Sequence, residues 1–402
     1  MIRRPHGFIA ILAMTAIFLL GCPPDTVKVA AVLPLTGEAA GYGEAVRRGI
    51  ELANEEIQSQ TDRQTPLVIS FVDTGSDPEK ASEQLTEQFG QGNIIAIGGV
   101  TSGEAKQMIE VIDRYDKPLL SPSASSPELT GISRNFYRIF PSDHTAANKM
   151  AQSAFQDLEI ETIVIIAEEQ PYAQGVHSVF KPAFEAEGGE VLELVAFPPG
   201  TSDLEALVEH AVSFKPDAVY LAGYADGIGS MIQELRRKRF RGKILTTSAF
   251  ATSQAIAKVG EAASGVYLTQ TVFEPDSEYA HVQKFVNAYQ SKFGETPDIY
   301  AAHGYDALLV VAAAAEGRAP LPDELKKGLR DEVKEFPGVT GSIQFDEKGD
   351  VRKYPRLYKI GNDLVLIDYN EQVRRQQEEI RKRREALQKQ LEELQRKARS
   401  GG

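Results

Sequence analysis

Val27-Lys28-Val29-Ala30-Ala31-Val32-Leu33-Pro34-Leu35 is a short β-branched run, and residues 44–58 after it place Val46, Ile50, Ala53 and Ile57 three and four positions apart. The first reads as a strand and the second as an amphipathic helix. A second run at 67–72 completes a strand, helix, strand unit, which at this spacing means parallel strands joined by a right-handed crossover. The alternation continues through a weaker helical pattern at 81–89 and strand-like runs at 94–97 and 119–120. After Phe140-Pro141-Ser142-Asp143 the rhythm restarts, with strands expected at 162–167, 191–197, 218–221, 243–247 and 266–269. Helices are expected at 277–292 and 299–315, followed by a hairpin-like end made of 341–345 and 357–367. The chain of 402 residues, 42% hydrophobic and 25% charged, exceeds one core, so two α/β lobes of similar size are expected.

The two ends differ in kind from this body. Arg3 and Arg4 precede an apolar stretch at 8–20, too short to span a bilayer comfortably and shaped like a secretory signal, so residues 1–21 read as an export segment. It ends Leu19-Leu20-Gly21-Cys22, which resembles a bacterial lipobox whose Cys22 thiol is acylated before cleavage. Cys22 is the sole cysteine, which excludes an internal disulfide and a cysteine-rich metal site. Residues 371–399 are charged and free of Gly and Pro, and are expected to form one long helix. Val373, Ile380, Leu387 and Leu394 fall seven apart on it, but Gln377, Arg384, Leu391 and Ala398 complete only half a coiled-coil seam. Residues 371–402 hold ten basic and six acidic side chains against a net charge of -13 for the whole chain, so the body is more acidic than that total and repels nucleic acid.

Several motifs decide the fold together. They are Pro34-Leu35-Thr36-Gly37 with Tyr42-Gly43, Asp73-Thr74-Gly75-Ser76-Asp77-Pro78, Gly98-Gly99-Val100-Thr101-Ser102-Gly103, and the turn from Leu120-Ser121-Pro122-Ser123-Ala124-Ser125 to Thr130. Gly223-Tyr224, Gly304-Tyr305-Asp306-Ala307 and Phe345-Asp346-Glu347-Lys348-Gly349-Asp350 follow. In order and spacing across 27–369 the set resembles the leucine/isoleucine/valine-binding family of type I periplasmic solute-binding proteins. The resemblance implies two doubly wound parallel-sheet lobes joined by three hinge crossings near 141, 270 and 353, with a C-terminal helix added. Lobe 1 would comprise 27–141 and 270–352, and lobe 2 would comprise 142–269 and 353–369. It also implies a ligand in the cleft between them, beyond the carboxyl ends of the strands, where open α/β sheets bind their ligands.

By the same resemblance, Ser102, Ser123 and Ser125 stand where the family holds a ligand carboxylate with hydroxyls and backbone N–H groups. Helix starts favour an anion, although serines at such places also serve simply as caps and turn formers. Tyr42, Tyr172 and Tyr224 stand where the family places aromatic walls around the ligand. Ser248 departs from the pattern, because amino-acid-binding members carry an acid there to face the ammonium. Glu168 and Asp226 are candidate replacements, each with solvation as its plainer reading. The function implied is an extracytoplasmic, lipid-anchored substrate-binding protein of an ABC-type transporter, partnered by permease subunits and closing on an amino acid or a related small polar carboxylate or amide. No cofactor or metal is implied.

Two rival classes remain. For an enzyme the best pieces are His303 with Asp306, or Ser125 as a nucleophile, and neither has a third partner. Gly41-Tyr42-Gly43 lacks the third glycine of a dinucleotide site, and no Gly-x-Ser-x-Gly, His-Glu-x-x-His or phosphate-loop motif occurs. The second rival is an interaction lipoprotein on the same fold that activates a cell-wall synthase, favoured by the tail helix and disfavoured by the serine turns and tyrosines.

Overall fold

The computed structural model describes residues 26–201, 203–271 and 273–400, with side chains described as far as residue 392. The export segment and Cys22 lie outside the described residues. The first lobe is built on β1 (Val27–Leu33), α1 (Ala40–Ser59), β2 (Leu67–Asp73), α2 (Pro78–Gly90), β3 (Ile95–Gly98), α3 (Ser102–Tyr115), β4 (Leu119–Ser121) and β5 (Phe136–Arg138). Its five strands form a parallel sheet in the order β2-β1-β3-β4-β5.

The second lobe continues with α4 (Asp143–Gln156), β6 (Thr162–Glu168), α5 (Pro171–Glu187), β7 (Glu190–Phe197), α6 (Leu204–Ser213), β8 (Ala218–Ala222), α7 (Ala225–Arg237), β9 (Lys243–Thr247), α8 (Ser253–Val259) and β10 (Tyr267–Gln270). The chain then returns to the first lobe as α9 (Ala280–Phe293), α10 (Ile299–Ala315), α11 (Pro322–Asp331), β11 (Phe336–Gly338) and β12 (Gly341–Ile343). It ends on the second sheet as β13 (Arg356–Ile360) and β14 (Leu366–Asp368), and α12 (Tyr369–Ser400) projects beyond. The two lobes are therefore linked three times, between Arg138 and Asp143, between Gln270 and Phe273, and between Val351 and Arg356.

Two sequence expectations change. The second sheet, in the order β14-β13-β10-β9-β8-β6-β7, is parallel only through β10, because β13 pairs antiparallel with β10 and β14 antiparallel with β13. Segments 341–345 and 357–367 do not make one hairpin. β12 pairs with β11 across a tight turn in the first lobe, and β13 pairs with β14 in the second. Both pairs join strands adjacent along the chain, and β13 pairs on its other side with β10, choices that the alternation of side chains does not reveal.

Local chemistry fixes the loops that reach the cleft. Asp73, at the end of β2, accepts from the N–H groups of Leu35, Thr36 and Gly75 at 2.9, 3.1 and 2.8 Å, tying the loop after β1 to the turn after β2. Thr101 caps α3 in a reciprocal box, its hydroxyl accepting from Glu104 N–H at 3.2 Å while Glu104 Oε2 accepts from Thr101 N–H at 3.2 Å. Helices α1 and α10 touch through glycine: a Cβ on Gly49 would stand 2.0 Å from Ala301 O, and one on Gly304 would stand 2.3 Å from Val46 O. That contact seats Tyr42 of α1 and Tyr300 of α10 side by side, with ring centroids 4.8 Å apart.

Candidate functional site

The strand ends of both sheets meet at one cleft. Ser102 opens α3 after β3, Ser123 and Ser125 lie in the turn after β4, and Tyr42 sits on α1 after β1. From the second lobe come Tyr172 on α5 after β6, Tyr224 just before α7 after β8, and Ser248 in the single turn after β9. All seven line one cavity, together with Val100, Phe140, Ala249 and Tyr300. The last four were missed in the sequence. Phe140 was read only as a marker of the crossing, and Tyr300 lies on a helix that is buried nearly all round and so shows no distinctive face.

The cleft is closed by direct bonds between lobes. Tyr42 Oη donates to Ala249 O at 2.7 Å and accepts from Ala225 N–H at 2.9 Å. Tyr300 Oη donates to Ser248 O at 3.2 Å. Tyr172 and Tyr224 stack with centroids 5.3 Å apart and planes 8° from parallel, forming the aromatic wall. Their hydroxyls are buried and have no hydrogen-bond partner, although Thr247 and Ser248 lie near the first and Thr101 near the second. Buried polar atoms are seldom left unpaired, so two of them at one cavity wall set this wall apart. Burial pushes all four cavity tyrosines, Tyr42, Tyr172, Tyr224 and Tyr300, above the usual phenol range, so they stand as neutral donors.

The acids divide differently from the sequence reading. Asp226 is exposed and pairs with Lys258 at 2.8 Å. Glu168 is buried rather than solvated, but its Oε2 accepts from Tyr224 N–H at 2.9 Å and it lines a separate small cavity with Gly223 and Gly227. Neither reaches the solute cavity. Asp143 does come close: it is buried, accepts the Ser125 hydroxyl at 2.5 Å, and is raised by desolvation to about 7. The sequence signal available was its position, one residue past the Pro141-Ser142 crossing, where an acid reads as an ordinary first-turn residue of a helix.

His303 and Asp306 make no catalytic pair. Asp306 accepts from Val339 and Thr340 N–H at 2.9 Å each, while His303 Nδ1 donates to Ile299 O at 2.7 Å. His303 Nε2 then accepts from Lys353 Nζ at 3.1 Å, and burial with the neighbouring Lys353 charge drives the imidazole well below its ordinary range. The imidazole packs under Phe140 with centroids 4.8 Å apart, so this cluster supports the cavity floor from below. Among the described residues no group of three or more metal-ligating side chains is assembled.

A closed cleft lined by hydroxyls and aromatic rings, between two α/β lobes linked three times, defines a two-lobed solute-binding protein. The periplasmic binding protein family model matches residues 26–358, and the chain belongs to that family. The leucine-, isoleucine-, valine-, threonine- and alanine-binding protein of Pseudomonas aeruginosa is 25% identical over 362 residues, covering 88% of this chain and 94% of the relative. The crystal structure of a leucine-binding protein from Thermotoga maritima matches with a TM-score of 0.78 at 28% identity, covering 86% of this chain and 99% of that one. A solute-binding protein of an ABC transporter from R. palustris, solved with benzoate, shares the fold with a TM-score of 0.77 at 21% identity, covering 86% and 96%. These relatives bind solutes, and membership of their family sets the enzymatic reading aside.

Proposed function

We propose that the chain is the substrate-binding component of an ABC-type transporter, exported, held at a membrane through lipid on Cys22, and closing on an amino acid or a related small polar carboxylate or amide. The observation that carries this reading is the cavity itself. It is enclosed by side chains from both lobes, and two unpaired tyrosine hydroxyls at its wall point to a polar solute. Ser102, at the start of α3, is suited to an anionic end, since the first N–H groups of a helix and its dipole favour negative charge. Tyr172 and Tyr224 from the opposite lobe cover the rest, so one solute contacts both lobes and stabilises the closed arrangement. The relatives named for leucine-type ligands and for benzoate bracket the size and the carboxylate expected here.

Native mass spectrometry of freshly purified protein, followed by calorimetric titration with amino acids, carboxylates and amides, tests the reading. A retained small molecule or saturable binding is expected, with a thermal shift that grows with ligand concentration. Absence of binding across the panel would defeat it. Cys22→Ala is expected to release the protein from membranes into the soluble fraction, and a variant that stays bound would move the anchor elsewhere.

A further inference from the structure

Helix α12 meets the second lobe at its start. Tyr369 packs edge-on against Tyr267 with ring centroids 5.6 Å apart, and Asp368 accepts from Glu371 N–H at 3.1 Å. From 374 to 392 every residue is exposed. The apolar ones among them are ordered: Ile380, Leu387 and Leu391, 52%, 67% and 56% exposed, fall seven and four apart and so share one stripe.

The flanks of that stripe carry one sign of charge. At about 100° per residue, Gln376, Gln377, Arg383 and Arg384 lie within about 60° of its midline, whereas Glu378, Glu379, Glu385 and Glu392 all lie more than about 90° away. Ion pairing follows the same division. Among the described residues Arg374, Arg375, Arg381 and Lys382 reach Glu371, Glu378 or Glu385, and Arg383 and Arg384 reach no carboxylate. The helix neutralises itself on its far side and leaves two free guanidiniums beside its exposed apolar residues.

We propose that α12 lies on the surface of a bilayer carrying anionic phospholipid, with Ile380, Leu387 and Leu391 sunk into the headgroup boundary and Arg383 and Arg384 on the phosphates beside them. An apolar stripe bordered by long cationic side chains suits that boundary, because the arginine stems bury with the stripe while their heads stay among the phosphates. Among the described residues no helix is long and apolar enough to cross a membrane, so the contact is along the surface. A second copy of the helix fits less well, since a parallel pair would set Arg384 against its own counterpart inside the seam. The rest of the chain is acidic and is repelled by such a surface, but the 32 residues of α12 extend about 48 Å, several times the screening length of about 8 Å at physiological salt. Most of the helix therefore lies beyond the reach of that repulsion. The contact is peripheral and salt-sensitive, and it adds to lipid on Cys22 rather than replacing it.

Flotation with vesicles of one part phosphatidylglycerol to two parts phosphatidylcholine, and of phosphatidylcholine alone, tests the proposal. The full chain carries Cys22→Ala so that no acyl chain holds it, and residues 1–21 are common to every variant, so differences between variants report α12. Partitioning is expected to favour the phosphatidylglycerol vesicles and to fall in about 0.5 M salt, where screening shortens to about 4 Å. Arg383→Gln with Arg384→Gln is expected to lower it about ten- to thirtyfold, and Ile380→Gln with Leu387→Gln about tenfold. Lys382→Gln with Lys389→Gln removes the same charge from the far side and is expected to cost less than about threefold. Glutamine keeps the helix, which circular dichroism checks. Equal losses from the two charge pairs, or no preference for phosphatidylglycerol, would overturn the proposal. Sedimentation showing a dimer without vesicles that Leu387→Gln dissolves would also overturn it and give the stripe to a second copy, and vesicle binding indifferent to every α12 variant would leave the stripe to a protein partner. Solute binding is untouched by any of these substitutions, so the proposal and the solute-binding reading fail separately.

Discussion

Removing the hydroxyls of Tyr172 and Tyr224 while keeping their rings separates cleft closure from solute binding. In the closed, unliganded cleft both hydroxyls are buried without partners, and each such group costs about 1–3 kcal/mol. An opened cleft returns them to water, so together they bias the unliganded protein away from closure by roughly 2–6 kcal/mol. The double replacement by phenylalanine lifts that bias and leaves the stacked pair in place, its centroids 5.3 Å apart. Its unliganded form is therefore expected to be more compact by small-angle scattering than wild type, with a smaller change on adding ligand. Affinity moves the other way, because the bound solute loses two hydrogen bonds worth about 0.5–1.5 kcal/mol each. Opposite signs are the diagnostic, since general damage to the fold would weaken binding without compacting the free protein. Unchanged unliganded dimensions together with unchanged affinity would refute the argument and show that the hydroxyls find partners in solution.

Asp350→Ala strands the fully buried Arg138 guanidinium, which also donates to Ser126 O at 2.9 Å, and is expected to cost about 3–5 kcal/mol in a urea unfolding curve; a shift below 1 kcal/mol would contradict a buried ion pair. Burial lowers Lys353 from its ordinary value to about 8, so the unfolded chain binds more protons between pH 8 and 10 and stability rises with pH across that window. Lys353→Met is expected to flatten the rise, read as urea midpoints at pH 8 and 9.5, and an unaltered slope would assign it to another group. Deleting 371–402 is expected to leave the cooperative melt and ligand binding intact, because residues 374–392 of α12 are exposed; aggregation or a broadened melt would show that the helix packs on the lobes.

The parallel alternation was legible because a strand buried on both faces and a helix buried on one leave different periods in the sequence. The cleft was legible for a related reason: its serines and tyrosines sit immediately after strands, where chain direction alone brings them to one edge of each sheet. Partner choice was not legible. β5 is only Phe136–Arg138, too short to show a period, and the pairing of 341–345 depended on its neighbour β11 rather than on its own pattern. Asp143 escaped for a different physical reason. An acid in the first turn of a helix has a sufficient local explanation in the dipole, and nothing local tells that it is buried against Ser125. The same holds for Arg138, an ordinary strand cation in sequence that becomes the tie between the first crossing and Asp350 near the third. These long-range polar pairs lie at the crossings, directly behind the serine turn. Arg138 holds the carbonyls of Ala124 and Ser126 on either side of Ser125, so a solute that pulls on Ser125 pulls on the group joining two of the three links between lobes. If the solute contacts Ser125 as the resemblance implies, closure and recognition are coupled through the same side chains, with no separate relay required between the cavity and the hinge.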